Sequence, residues 1–338
     1  MKEHAVSPSP TAEQTLLSVR DLAVDFELEG GVLRAVDRIS YDVRPGEIVG
    51  IVGESGSGKS VSVLAVLRLL NVYTTGASVT GEVRFEGRDL FALTAKQMRE
   101  IRGKDITLIF QDPSSSWHPV LRIGRQVAEV SVAHDTMRPN RVREHVEGLF
   151  ESVGIPNPRV RYEQYPHEYS GGMKQRAMIA MAIANKPKLV IADEPTTALD
   201  VTIQSQVLEL LRNVTADTGA ALILISHDIG VIAEMADRVI VMYGGRVMEE
   251  GPVEQVLVSS RHPYTKGLLA SLPQIDKTMS RLPTIPGAPP QMFQASAGCP
   301  FEPRCGLAND RERCREERPS LRQCGEDQFS ACHFFEEL

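Results

Sequence analysis

Apolar and polar positions change rhythm several times along the chain, and each change marks an element. Between Leu17 and Val43 apolar residues alternate with polar ones at Val19, Leu22, Val24 and Phe26, then at Val36, Ile39, Tyr41 and Val43, on either side of Gly30-Gly31. Such alternation belongs to half-buried strands, and a glycine pair between two runs predicts a hairpin. Glu47–Val52, Ile106–Phe110, Leu189–Ala192, Ala221–Ile225 and Val239–Met242 are nearly unbroken apolar runs instead, which predicts strands buried on both faces. Between them the period lengthens. Val61–Leu70 is long enough for about three helical turns. Thr94 caps good helix formers that run to Arg102, and Val142, Val146, Leu149, Phe150 and Val153 share one helical face within Arg125–Gly154. Further helices are expected from Ser170 to about Asn185 and from Val201 to Val214. Buried strands alternating with helices predict an α/β fold with a mostly parallel sheet, preceded by an antiparallel β piece and interrupted by a helical subdomain at about residues 112–180.

The pattern lapses at both ends. Residues 1–15 read as a disordered tail without the apolar core of a signal peptide. After residue 260 six prolines fall between Pro263 and Pro290, and all five cysteines lie between Cys299 and Cys332. The expected division is therefore a tail (1–15), a main domain (16–260) and a small extension (261–338). The formal net charge of −7 argues against a general nucleic-acid binder, which would present a basic face. No apolar run approaches the ~18 residues of a membrane span. The expectation is a cytosolic protein whose membrane association comes through a partner.

Gly53-Glu54-Ser55-Gly56-Ser57-Gly58-Lys59-Ser60 fits the phosphate-loop pattern at every specified position, between a buried strand and a helix. Glycines let the amides turn inward and the helix start adds its positive dipole end. Lys59 is suited to the β- and γ-phosphates, and the Ser60 hydroxyl to Mg²⁺. Three strand ends add chemistry: Asp193 for the metal, Glu194 to polarise the attacking water, Gln111 for metal or water, and His227 toward the γ-phosphate. Phe26 is either core or a stacking partner for a purine. Ser170-Gly171-Gly172 opens another helix and makes a second anion site by the same physics. One nucleotide does not need two such sites in one chain, whereas two chains head to tail would each cap the nucleotide of the other.

In this order and spacing the motifs resemble the nucleotide-binding subunit of an ABC transporter over about residues 16–251: Walker A at Gly53–Ser60, Gln111, the signature Ser170-Gly171-Gly172-Met173-Lys174-Gln175, Walker B through Asp193-Glu194, then Ala198-Leu199-Asp200 and His227. The resemblance implies that Glu194 is the general base, His227 the switch residue, Asp200 a cross-dimer contact and Gln111 the link to the membrane subunit. It also puts Phe26 where some members stack adenine. His262–Leu269, Leu282–Pro290 and Cys299–Cys305 are similar to the C-terminal extension of oligopeptide/dipeptide permease ATPases. That likeness implies ATP hydrolysis powering peptide import, with nickel or glutathione import as the alternative. It further implies a second ATPase subunit, identical or homologous, two membrane-spanning permease subunits, an extracytoplasmic solute-binding protein, and a place on the cytoplasmic face of the inner membrane. Ser114–Trp117 departs from the family pattern after Asp112-Pro113, where the membrane subunit would dock. An ABC-type ATPase acting on DNA would carry a long coiled coil or zinc insertion between Gln111 and Ser170, and one acting on ribosomes would carry two such cores; neither feature is present.

The cysteines invite a metal, since so small a segment has little core of its own. Close C-x2-4-C pairs typical of zinc are missing, although His333 could complete a mixed zinc site. Extensions of this permease family resemble a four-cysteine [4Fe–4S] site. On that pattern Cys299, Cys305, Cys314 and Cys332 are the ligands and Cys324 is spare.

Overall fold

The computed structural model describes residues 15–74, 76–197, 200–271, 285–290 and 297–338. Residues 1–14 of the expected tail, Ala198-Leu199 and Leu282-Pro283-Thr284 lie outside that set. Two sheets organise the fold. The smaller is antiparallel, in the order β2-β1-β4-β5, from β1 (Leu17–Leu28), β2 (Gly31–Val43), β4 (Ala77–Phe85) and β5 (Arg88–Asp89). The predicted hairpin is present, with Leu28 opposite Gly31. The larger has the order β11-β12-β10-β9-β3-β8-β7-β6. Its central strands β3 (Ile48–Val52), β6 (Ile106–Ile109), β7 (Leu189–Asp193), β8 (Ala221–Ser226) and β9 (Arg238–Tyr243) run parallel. The expected parallel sheet is therefore its core.

Alternating residues of these strands feed two cores, because successive side chains leave opposite faces of a strand. Ile51, Ile191 and Ile223 join Val63, Ala65 and Val66 of helix α1 (Lys59–Val66) under the antiparallel sheet. Val190, Leu222 and Leu224 face Ala177, Met178 and Leu208 on the other side. Helix α1 is shorter than its sequence predicts. Arg68 adopts φ 54°, and its guanidinium donates to the Leu90 and Leu93 carbonyls, so the chain turns before the four-residue α2 (Leu70–Tyr73). Helix α3 (Ala95–Ile101) starts in a capping box between Thr94 and Gln97, as the pattern suggests.

The helical subdomain comprises α4 (Ile123–Ala133), α5 (Val142–Ser152), α6 (Pro158–Tyr162) and α7 (Gly171–Ile183). Val142, Val146, Phe150 and Val153 are buried, while Leu149 on the same face is half-buried. Trp117 is buried in that core, so the unusual Ser114–Trp117 stretch fills the interior at its end. Its serines fold back on Asp112, with Ser114 N donating to Asp112 Oδ1 at 2.7 Å. After β7, α8 (Val201–Thr218) and α9 (Ile229–Met235) complete the alternation, and β10 (Arg246–Pro252) closes a hairpin on β9.

The extension joins this framework. After α10 (Val253–Val258), α11 (Pro263–Ala270) and α12 (Glu312–Glu316), β11 (Arg322–Gly325) pairs with β12 (Gln328–Ser330), and β12 pairs with β10 of the main sheet. Glu249 on β10 anchors the junction from a fully buried position. Its carboxylate accepts from Gln328 Nε2 at 2.9 Å and from the Arg261 amide at 2.5 Å. The composition change near residue 260 is thus not a gap in packing.

Candidate active site

Sheet order delivers the chemistry. Strands β3, β6, β7 and β8 are parallel, so the loops after them emerge at one edge, where ligands of open α/β sheets bind. A cavity of about 440 Å³ there is lined by Ser55, Gly56, Ser57, Gly58, Lys59, Ser60, Val61, Gln111, Glu194 and His227. The phosphate loop keeps its shape because two of its glycines are required. A Cβ on Gly53 would lie 2.1 Å from the Met242 carbonyl oxygen, and one on Gly58, at φ 97°, would lie 2.4 Å from that of Ala35.

Lys59 is buried and donates to the Gly53 carbonyl at 2.7 Å and the Glu54 carbonyl at 3.0 Å. Burial lowers its pKa, while the carboxylates of Glu194, Asp193 and Glu54 oppose that shift. Ser60 Oγ donates to Asp193 Oδ1 at 2.9 Å. Burial raises the Asp193 pKa, against the Ser60 bond that lowers it. A carboxyl so placed has lost water and has one short hydroxyl partner, the environment in which a divalent cation would restore its charge.

Glu194 Oε2 is a convergence point. It accepts from Gln111 Nε2 at 2.9 Å and Thr197 Oγ1 at 2.9 Å, with His227 Nδ1 at 3.3 Å. Its backbone sits at φ 45°, a costly conformation for a non-glycine residue, held by its amide donating to the Ile225 carbonyl at 3.0 Å. Thr197 is the member that sequence reading missed. The only signal was its place three residues after Glu194 in the turn leaving β7.

The signature residues, Asp200 and Phe26 stand outside this cavity. Ser170 caps α7, its Oγ accepting from the Met173 amide at 3.3 Å, and neither it nor Gly171 or Gly172 lines the cavity. Asp200 caps α8 through the Ile203 amide at 3.0 Å. Phe26 is half-buried on β1, paired with Leu33 and Ala77, and does not line the cavity either.

In the extension, Cys299, Cys305, Cys314 and Cys332 wall one small cavity of about 20 Å³ with His262, Phe301, His333 and Phe334. Cys324 is elsewhere, its Sγ donating to the Gln328 carbonyl at 3.5 Å. Burial pushes the Cys299 thiol up to about 12 and Cys332 up to about 11; it also raises Cys305 and Cys314. Backbone amides oppose the shift at three of these sulfurs, and the Phe334 amide donates to Cys332 Sγ at 3.4 Å. The expectation of a metal centre needs narrowing, however. Among the described residues no three His, Cys, Asp or Glu side chains converge on a position for a metal ion. His333 Nε2 lies 2.8 Å from the Glu317 carbonyl oxygen, a partner that competes with a ligand role. No helix among the described residues is long and apolar enough to cross a membrane.

Comparison with known proteins agrees with the motif order. Residues 36–197 match the ABC transporter family model, and residues 248–324 match that of the oligopeptide/dipeptide transporter C-terminal region. The dipeptide transport ATP-binding protein DppD of Escherichia coli (strain K12) is 46% identical over 319 residues, covering 94% of this chain and 96% of that protein. The oligopeptide transport ATP-binding protein OppD of Bacillus subtilis (strain 168) is 46% identical over 87% of this chain and 82% of its own length. Among solved structures, CbiO1 from Clostridium perfringens, part of an ABC transporter complex, superimposes with TM-score 0.60 at 26% identity over 72% of this chain and 91% of its own. The ATP-binding cassette MJ0796, a dimer bound to ADP and Pi, shares the fold with TM-score 0.61 at 24% identity, over 70% of this chain and 98% of its own.

Proposed function

The chain belongs to the ATP-binding subunits of ABC transporters of the oligopeptide/dipeptide permease family, and from that premise we propose how its residues divide the work. The protein is an ATPase that powers peptide import. The observation that carries the assignment of roles is the convergence of Gln111, Thr197 and His227 on one Glu194 oxygen beside the phosphate loop. Lys59 exchanges its two loop carbonyls for the β- and γ-phosphate oxygens, and the inward amides of Ser55–Ser60 hold the rest of the chain of phosphates. Ser60, Asp193 and Gln111 would hold Mg²⁺, which would supply charge neutralisation for the phosphates. Glu194 takes the proton of the attacking water, and His227 steadies that carboxylate and reaches the γ-phosphate. Phe26 stacks on the adenine.

The signature residues Ser170, Gly171 and Gly172 act on the nucleotide of a second ATPase subunit, with Asp200 at the same contact. Support comes from their absence around the chain's own cavity. The complete machine then has two ATPase subunits, identical or homologous, two membrane-spanning permease subunits docked through the helical subdomain near Gln111, and an extracytoplasmic solute-binding protein. The chain works at the cytoplasmic face of the inner membrane through those subunits. Reconstituted with them, it should hydrolyse ATP faster when a di- or oligopeptide and its binding protein are supplied. Stimulation by nickel or glutathione alone would redirect the solute and keep the ATPase.

For the extension we propose a [4Fe–4S] cluster held by Cys299, Cys305, Cys314 and Cys332. The supporting observation is that these four thiols, and not Cys324, wall one cavity, with backbone amides directed at three sulfurs. Zinc is the alternative, and the missing convergence of ligands among the described residues weighs against either centre, so metal analysis decides between them. The cluster would supply crosslinks among four distant positions in the chain.

A further inference from the structure

Glu54 is the one charged residue of the phosphate loop besides Lys59, and it does not line the phosphate cavity. It is gripped from outside by the cysteine-bearing extension, 250 residues along the chain. Arg304 Nη1 donates to Glu54 Oε2 at 2.7 Å and Nη2 to Glu54 Oε1 at 3.1 Å, a two-pronged charge-assisted pair with the Arg304 side chain only 6% exposed. The same guanidinium donates to the Pro286 carbonyl at 2.8 Å and the Tyr243 hydroxyl at 3.2 Å, so it has no freedom to swing away. The Glu54 amide donates to the Tyr264 hydroxyl at 2.9 Å. Phe301 wedges against both tyrosines, at 5.3 Å between ring centroids in each case. Arg304 itself lies between Cys299 and Cys305, two of the thiols that wall the cysteine cavity.

We propose that Arg304 and Tyr264 are positioning residues for nucleotide binding, holding the phosphate loop in its receptive shape through Glu54 and cancelling the Glu54 charge. Two physical effects follow from one contact. When nucleotide displaces Lys59 from the Glu54 carbonyl, that oxygen keeps the Ser57 amide at 3.2 Å, while Tyr264 and Arg304 are what tie this residue to the rest of the fold; a loop that is competent for a smaller fraction of the time binds proportionately more weakly. An uncompensated carboxylate beside a nest built for phosphate also repels the ligand.

The inference rests on the ATP-site reading, so Lys59→Ala is the control. Binding of a fluorescent ATP analogue and steady-state hydrolysis would be measured on the full chain, with native melting checked for each variant. Arg304→Ala should raise Kd and KM for ATP about tenfold, equivalent to about 1.4 kcal/mol, with kcat at saturation within about twofold. Tyr264→Phe, which removes only the hydroxyl, should raise both about threefold. Adding Glu54→Gln to Arg304→Ala should recover most of the lost affinity, because the orphaned charge is gone; general loosening of the extension would not be rescued this way. Arg313→Ala, which breaks an exposed pair with Glu317 in the same module, should bind as wild type. Arg304→Ala with wild-type Kd, or a double variant weaker than the single, overturns the inference. If Arg304→Ala fails to fold, Arg304→Met replaces it and the same outcomes decide. Loss of binding in Lys59→Ala together with wild-type binding in Arg304→Ala refutes this inference alone. Retained binding in Lys59→Ala refutes the ATP-site reading beneath it.

Discussion

Glu194→Gln isolates the chemical step, because the geometry predicts almost no other damage. All three neighbours of the carboxylate meet Oε2, so a glutamine can put its carbonyl oxygen in that place and still accept from Gln111 and Thr197. The backbone at φ 45° is equally strained for either side chain. Folding stability should therefore change by less than about 1 kcal/mol. What is lost is proton acceptance from water. Removing a general base costs about 10²–10⁴ in rate, a barrier increase of about 3–5 kcal/mol. The assay pairs single-turnover hydrolysis of radiolabelled ATP with equilibrium binding, in the assembled transporter. The expected result is ATP affinity within about twofold of wild type, hydrolysis slowed at least a hundredfold, and accumulation of an ATP-bound dimer. Hydrolysis within tenfold of wild type would place the base elsewhere and refute the reasoning from the Oε2 convergence.

Lys59→Ala should abolish hydrolysis and strongly weaken ATP binding, since the phosphates lose the cation of the loop; tight binding with normal turnover would contradict the assignment. Ser170→Arg should fill the anion cap and block the nucleotide of the partner chain, so in mixed dimers with one mutant subunit the lesion should map to the wild-type subunit's phosphate loop. Anaerobically purified protein should absorb broadly near ~400 nm and carry about four irons per chain. Cys305→Ser should bleach that absorbance and Cys324→Ser should not; colourless protein with stoichiometric zinc would exclude the cluster. Burial raises the Glu249 carboxyl above its unfolded value, more than the Arg261 amide and the Gln328 side chain pull it back. A raised folded pKa adds stability below the unfolded value near pH 4.5, and that stability fades as pH climbs through the folded value. Wild type should accordingly gain melting temperature relative to Glu249→Gln as pH falls from 8 toward 5, and parallel curves would disprove the shift.

The chemistry-bearing residues of the main domain were legible in the chain itself because each depends on its own neighbours. A phosphate loop is eight consecutive residues between a strand and a helix; Thr94 and Gln97 cap a helix three residues apart; Asp193, Glu194, Gln111 and His227 stand at or just beyond the ends of apolar runs. Parallel strands then bring those ends to one edge, a consequence of topology that the alternation of strands and helices already implies. Helix α1 was overestimated because the turn at Arg68 is dictated by carbonyls at Leu90 and Leu93, more than 20 residues away. Thr197 escaped notice because only the folded turn aims its hydroxyl at Glu194.

The extension shows the division most clearly. Composition marked it off as separate from the main domain. Folding instead adds β12 to the edge of the main sheet and brings Arg304 and Tyr264 to Glu54. No local pattern encodes a contact between residues 250 apart. A strand edge left unpaired by β10 and a carboxylate left unpaired in the loop have partners only once the whole sheet exists. Local chemistry therefore wrote the motifs into the sequence, while the pairing of distant unsatisfied groups, which only tertiary structure decides, joined the cysteine module to the phosphate loop.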